Sequence, residues 1–384
     1  MHVELTEEQQ ALSSVLEDIF TRHCPPSVVR AMKEPDADRV PAELWKALAD
    51  ADIFGLPVSA EFGGADGSLI DLSQVFVNGG RVICPTSVYS TLCFALALNR
   101  LGADSQKAAY LPGIASGQLL ATLAVADPQD FTNLTPSLRA TRSGDGWHLS
   151  GELMFVPNAK SADVVLVTAT TGRFLEPSST GAFLVTPGRP GWTDEPLITM
   201  AGDRQSRVVL DRYLVPEADA ILGEDGRGLD LSALAWVAQA AIALQCAEAI
   251  GGAGAVIEAT VQYLKARIQF GRPLASFQAA QHHIANLTIA HEQARVATYL
   301  ALSRLSRSQL APRSVAIAKL LSGESYKTTT LTAHQLHGGM GYVRETDLHL
   351  WSERAKVAEL SGGTADDAAA VICTELGLSG APGL

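Results

Sequence analysis

Two glycine-bearing motifs carry the residue types best suited to chemistry. Arg267-Ile268-Gln269-Phe270-Gly271-Arg272-Pro273 follows a helical stretch, with Phe277-Gln278 just beyond it. A guanidinium placed there can grip a pyrophosphate through paired, charge-assisted hydrogen bonds. Gln335-Leu336-His337-Gly338-Gly339-Met340-Gly341-Tyr342 closes another helix in a glycine turn. Missing side chains let a cofactor lie against backbone, and Gln335 offers both an amide donor and an acceptor to an adenine. Each motif alone also fits a plain structural role, as a helix-end arginine or a glycine cap. His337 reads as a partly buried histidine with a structural hydrogen bond rather than as a base.

The elements that must position these motifs fall into three segments. Residues 1–118 read as a helical domain. Thr6-Glu7-Glu8-Gln9 is a cap with acidic first-turn residues, and Leu12, Val15, Leu16, Ile19 and Phe20 follow at helical spacing. Pro41-Ala42-Glu43 opens a second helix, Phe62-Gly63-Gly64 is a turn, and Leu92 to Leu101 is a further apolar helix. Residues 119–222 carry short valine-rich or alternating runs separated by Gly, Pro, Asp and Asn, which suits an antiparallel sheet or small barrel. Ser143-Gly144-Asp145-Gly146 is a hairpin signal within it. Residues 223–384 return to long helices, Leu229 to Gln269, Gln278 to Ser306 and Ser314 to Leu336, which read as a four-helix bundle. Gly251-Gly252-Ala253-Gly254 inside the first of these costs helix stability, so close helix packing is the expected compensation. The fold class is α+β.

Composition narrows the function. The 384 residues are 47% hydrophobic and 18% charged, with a net charge of −12, which argues against nucleic acid and against anionic membrane surfaces. The five scattered cysteines have no C-x-x-C and no histidine partners, so free thiols are expected, with no disulfide framework and no metal site. The acidic, amphipathic N-terminus is no signal peptide. The alanine-rich run from Ala233 to Ala247 is too short to span a bilayer and carries Gln239 and Gln245. A cytoplasmic protein is expected.

A helical domain, a β domain and a helical bundle, with these two motifs at this spacing, resemble the flavin-dependent acyl-CoA dehydrogenases over nearly the whole chain. Supporting pieces, in the family's order, are Leu56-Pro57-Val58 with Glu61-Phe62-Gly63-Gly64, Tyr110-Leu111-Pro112, and Leu222-Gly223-x-x-Gly226-x-Gly228. The resemblance implies FAD as cofactor. It implies that Arg267, Gln269, Phe270, Gln278, Gln335, Gly338 and Gly339 contact the adenine and pyrophosphate of a flavin held mainly by a neighbouring subunit.

Against that pattern, several family features are missing. The family's ring-side loop, T-E-P followed by a glycine-rich turn, is matched here by Ala126-Asp127-Pro128-Gln129-Asp130-Phe131-Thr132-Asn133. The second flavin segment is Phe155-Val156-Pro157-Asn158, where Pro157 has neither hydroxyl nor amide hydrogen to offer. The family's catalytic glutamate has two placements. Here they are Gly362, before Gly363-Thr364, and Ala241, 26 residues before Arg267. Neither can take a proton, so no catalytic residue is assigned. Of the nearby acids Glu248, Glu258 and Glu359, the first lies two helical turns from position 241 and is the best displaced base, yet a salt-bridged helix acid is the plainer reading of each. Thr364 keeps a flavin-contact position, but Asp366 replaces the usual glutamine.

The resemblance implies a subunit of an FAD-dependent enzyme that desaturates an acyl-CoA thioester, contributing cofactor contacts to a homologous partner that bears the glutamate. Such two-chain assemblies resemble those acting on steroid side-chain thioesters, with an electron-transfer flavoprotein or similar acceptor. Two other functions stay open: a self-sufficient homo-oligomeric flavoenzyme with a displaced base or other flavin chemistry, and a non-enzymatic homologue that binds acyl-CoA or a protein partner.

Overall fold

Thr6 caps the first helix, α1 (Glu7–His23): its hydroxyl accepts from the Gln9 amide while Gln9 Oε1 accepts from Thr6 N at 3.1 Å. The computed structural model describes residues 4–34, 37, 40–144, 146–172, 179–223 and 228–378. Asp145 of the expected hairpin and Gly226 of the glycine-spaced segment lie outside them. After α1 come α2 (Pro26–Met32), α3 (Ala42–Asp50), α4 (Leu69–Arg81), α5 (Thr86–Leu101) and α6 (Asp104–Ala115). Pro41 stands at the start of α3 as expected. The sequence reading missed α4, and it missed α6 because Pro112 and Gly113 sit inside that helix. Gly63 turns the chain at φ +86°.

Eight strands follow: β1 (Ala121–Ala124), β2 (Leu138–Ser143), β3 (Gly146–Pro157), β4 (Val164–Thr171), β5 (Ser179–Val185), β6 (Trp192–Leu197), β7 (Gln205–Pro216) and β8 (Ala220–Ile221). They form one sheet in the order β6-β7-β3-β2-β4-β5-β8, with β1 added alongside β4. The β2–β3 hairpin closes on the pair Ser143–Gly146. The sheet is mixed rather than wholly antiparallel, because β4 runs parallel to both β1 and β2. Alternation fits this burial: β7 hides Ser206, Val208 and Leu210 and turns the residues between them outward. β4 is buried on both faces: it opens on the apolar run Val164-Val165-Leu166-Val167 and carries three threonines in its second half.

The C-terminal helices are α7 (Leu231–Ala266), α8 (Gln278–Leu305), α9 (Pro312–His337), α10 (Leu348–Leu360) and α11 (Ala365–Glu375), with the short strands β9 (Ile268–Gln269) and β10 (Arg272–Pro273) between α7 and α8. So α7 stops at Ala266 and does not run to Gln269. It is long and apolar enough, by length and composition, to cross a membrane, which exceeds the sequence expectation; 67% of its most apolar stretch is buried inside the fold.

The chain divides into two compact units. One holds residues 1–29, 69–84 and 242–384; the other holds 30–68 and 85–241. In the first, the glycines of α7 do what their cost required. A Cβ on Gly251 would stand 1.9 Å from the Val77 carbonyl oxygen of α4, and one on Gly80 would stand 2.1 Å from the Glu248 carbonyl oxygen. The two helices therefore cross backbone to backbone, while Gly252 leaves room for the buried side chain of Tyr326. In the second unit, the sheet's core gathers Leu149, Val165, Val167, Phe183, Val208 and Tyr213.

Candidate functional site

β9 and β10 form a two-residue hairpin, pairing Gln269 with Arg272 and Ile268 with Pro273. Its turn residues Phe270 and Gly271 have φ +53° and +77°, the backbone of a primed hairpin turn. A bulky residue at positive φ is uncommon, and here the turn holds the Phe270 ring out, 89% exposed. The Leu274 amide donates to the Arg267 carbonyl at 2.9 Å, which extends the ladder by one rung. Side chains alternate along a strand and cross-strand partners share a face. Arg267, Gln269 and Arg272 thus lie on one face, with Ile268 and Pro273 on the other.

The glycine turn adjoins this hairpin. Tyr263, one helical turn before Arg267, stacks on His337 with ring centroids 4.2 Å apart and donates to the His337 carbonyl at 3.2 Å. His337 Nδ1 lies 2.8 Å from the Ala333 carbonyl, and burial pushes its imidazole below the usual histidine range. It is a structural histidine, as its sequence context suggests. His334 fixes the rest of the motif, with Nδ1 at 2.6 Å from the Gly341 carbonyl and Nε2 at 2.6 Å from Ser352 Oγ. Gly338 has φ +59° and ψ −135°, a conformation essentially restricted to glycine.

Arg267, Gln269, Phe270, Gln278, Gln335, Gly338 and Gly339 are all exposed, and the added Cβ of Gly271, Gly338 or Gly339 would meet nothing within 4 Å. Guanidiniums, primary amides, an outward ring and open backbone at two glycine turns are the donor set that the adenine and pyrophosphate of a flavin nucleotide call for. Tyr263 is not singled out by the sequence; an aromatic one turn before the arginine was the only available signal for it, and Phe277, which follows the motif, carries no role there beyond its spacing.

The segments that the resemblance places beside the flavin ring, 126–133 and 155–158, belong to the second unit. In the loop 126–133 the amides of Asp127, Asp130 and Asn133 donate to Asn133, Asp127 and Asp130 carbonyls. Gln129 N and Thr132 N donate to the side chains of Asp127 and Asp130 at 2.8 and 2.9 Å. Five of the loop's backbone amides are thus bonded within the loop, and Phe131 is buried. Pro157 ends β3, and the Asn158 amide group donates to Thr86 Oγ1 and Ser90 Oγ, both at 3.2 Å.

Among the described residues, none of the candidate positions or acids offers a free base. Gly362 and Gly363 are buried glycines at φ +74° and +119°. Glu248 Oε1 is held at 2.6 Å by Arg354 Nε in a pair buried to within 8% exposure. Glu258 pairs with Arg81 at 2.6 Å, and Glu359 with Lys327 and Lys356, each at 2.7 Å. Thr364 is consumed as the cap of α11, bonded to Asp367.

Family models decide the lineage: the acyl-CoA dehydrogenase N-terminal domain matches residues 6–118, and the C-terminal domain of the same family matches residues 232–376. The chain belongs to the acyl-CoA dehydrogenase family. It is therefore an oxidoreductase of an FAD-dependent family, and its order of helical, sheet and helical parts is that family's fold. An acyl-CoA dehydrogenase of Bacillus subtilis is 28% identical, covering 95% of this chain and 96% of its own. Among solved structures, the ChsE4–ChsE5 complex of Mycobacterium tuberculosis gives a TM-score of 0.88 at 25% identity, over 99% and 100% of the two chains. A variant of the Tcur3481–Tcur3483 steroid ACAD gives 0.84 at 28%, over 97% and 98%.

Proposed function

We propose that this chain is the non-catalytic member of a two-chain acyl-CoA dehydrogenase, lending cofactor contacts to a homologous chain that carries the glutamate. The observation that carries the reading is the asymmetry of its flavin residues. The hairpin and glycine turn are open and donor-rich, whereas five amides of the loop 126–133 are bonded within the loop. Both family positions for the base are a glycine and an alanine, and the three candidate acids are held in ion pairs. That last point weighs against a self-sufficient enzyme with a displaced base.

Bound FAD supplies hydride acceptance from the β-carbon while a carboxylate takes the α-proton. This chain's part is to hold and orient. Arg267 grips the pyrophosphate, Gln269, Gln278 and Gln335 offer amide hydrogen bonds, Phe270 packs against the nucleotide, and Gly338 and Gly339 let it lie on backbone. The proton goes to the partner's carboxylate. Two of the structural relatives are heteromers by name, one of them a steroid ACAD, which supports a bulky steroid-type acyl-CoA thioester as substrate. An electron-transfer flavoprotein or similar acceptor completes the cycle in the cytoplasm. The chain purified alone should bind little FAD and lack dehydrogenase activity, and co-expression with its homologous partner should restore both. Stoichiometric FAD and turnover in the isolated chain would refute the reading.

A further inference from the structure

Arg272 is the hairpin residue to which neither the sequence pattern nor the family gave a task. Its guanidinium carbon stands 4.1 Å over the Phe277 ring, a cation–π stack that fixes its orientation. Phe277 in turn meets Phe270 edge-on, with centroids 6.1 Å apart and planes at 83°. Stacking uses the face of a guanidinium and leaves the N–H donors at its edge free. The strand register puts the Arg272 side chain on the same hairpin face as Arg267 and Gln269. Among the described residues, neither Arg267 nor Arg272 forms an ion pair, although acidic residues outnumber basic ones 41 to 29. Two exposed, unpaired cations on one strand face of so acidic a protein make a local anion site.

We propose that Arg272, oriented by Phe277, is a second phosphate-binding residue, so that the hairpin takes both charges of the diphosphate in an adenosine diphosphate group. The inference rests on the trans-binding reading above and assigns the group to FAD. Coenzyme A carries the same chemistry, so the test must separate the two.

The assembly with the partner is purified with Arg272→Gln, Arg272→Lys, Phe277→Leu and, for reference, Arg267→Ala. Flavin content is read by absorbance, mass by light scattering, FAD affinity across a salt series, and KM for the thioester at saturating FAD. Arg272→Gln should weaken FAD roughly 10-fold or more at unchanged mass, as loss of a charge-assisted contact does, and should flatten the salt dependence of binding. Lysine should restore the salt dependence but only part of the affinity. Phe277→Leu should weaken FAD while leaving the salt dependence intact, because it removes the platform and not the charge. Full affinity in Arg272→Gln with loss in Arg267→Ala would overturn the role of Arg272 and leave the trans-binding reading standing. Full affinity in both would sink that reading as well. A raised KM with unchanged FAD would assign the diphosphate to coenzyme A, and a fall in mass would make Arg272 an interface residue; either result overturns the proposal.

Discussion

Replacing Glu248 separates a structural acid from a hidden base. The carboxylate is 7% exposed and the Arg354 side chain 8%, with 2.6 Å between them. Removing one member of such a buried pair takes a close counter-charge from the other in a poor solvent and costs about 3–5 kcal/mol. Glu248→Gln should therefore lower the thermal midpoint clearly and raise the fraction unfolded at mild urea. Replacing both partners with apolar residues of similar size, Glu248→Leu with Arg354→Met, should recover most of the loss, because the desolvation of two charges disappears together with their attraction. In the assembled enzyme, held well below its melting point, turnover per folded complex should change less than two-fold in Glu248→Gln. A base would behave otherwise: the amide cannot accept the α-proton, and the rate would collapse whatever the stability. The assay is steady-state dehydrogenation alongside thermal unfolding of the same preparations. A Glu248→Gln complex that is stable yet inactive would refute the argument, and so would a double variant no more stable than the single one.

Three further outcomes follow from neighbouring features. Gly251→Ala should destabilise the fold, although alanine favours a helix by about 1 kcal/mol, because its Cβ would stand 1.9 Å from the Val77 carbonyl oxygen and force two backbones apart; a raised melting temperature would contradict this. Gly362→Glu should give no burst of enoyl product in the purified chain, since most amides of the loop 126–133 are bonded within it and position 362 sits at φ +74°, where a side chain is strained. Burial lowers the Lys319 ammonium from 10.5 to about 8, so between these values the unfolded chain binds more protons and stability should rise with pH. Buried Cys24 and Cys246, both raised by desolvation, act in the opposite direction above pH 9. The difference between wild type and Lys319→Met across a pH series isolates the lysine, and identical curves would count against it.

Much of the architecture was legible because it rests on local rules. The Thr6 cap, the β2–β3 hairpin signal and the long apolar helices follow from neighbouring residues. The glycine run in α7 announced close packing without saying against what, since its partner, Val77, lies in α4. β6 reads Trp-Thr-Asp-Glu-Pro-Leu, too polar and too broken by proline to look like a strand; pairing with β7 along its length makes it one. The parallel run of β4 beside β1 and β2 depends on chain routing, which periodicity does not carry. At the site, the open motifs were readable from residue types. The state of the acids was not, because Glu248 meets Arg354 106 positions away, and Glu258 meets Arg81 177 positions away.

The crossing of α4 with α7 also sets a timetable for synthesis. α4 is translated early, but the helix its glycines fit against comes about 170 residues later. At roughly 5–20 residues per second, the apolar face of α4, with α1 packed on it, waits on the order of 10–35 s for its other half. The same delay applies to Arg81, whose counter-ion Glu258 is made later still. On the ribosome the first helices of this chain are thus a held-open surface that folding factors can reach, and a release of the nascent chain anywhere before residue 254 would leave that surface bare.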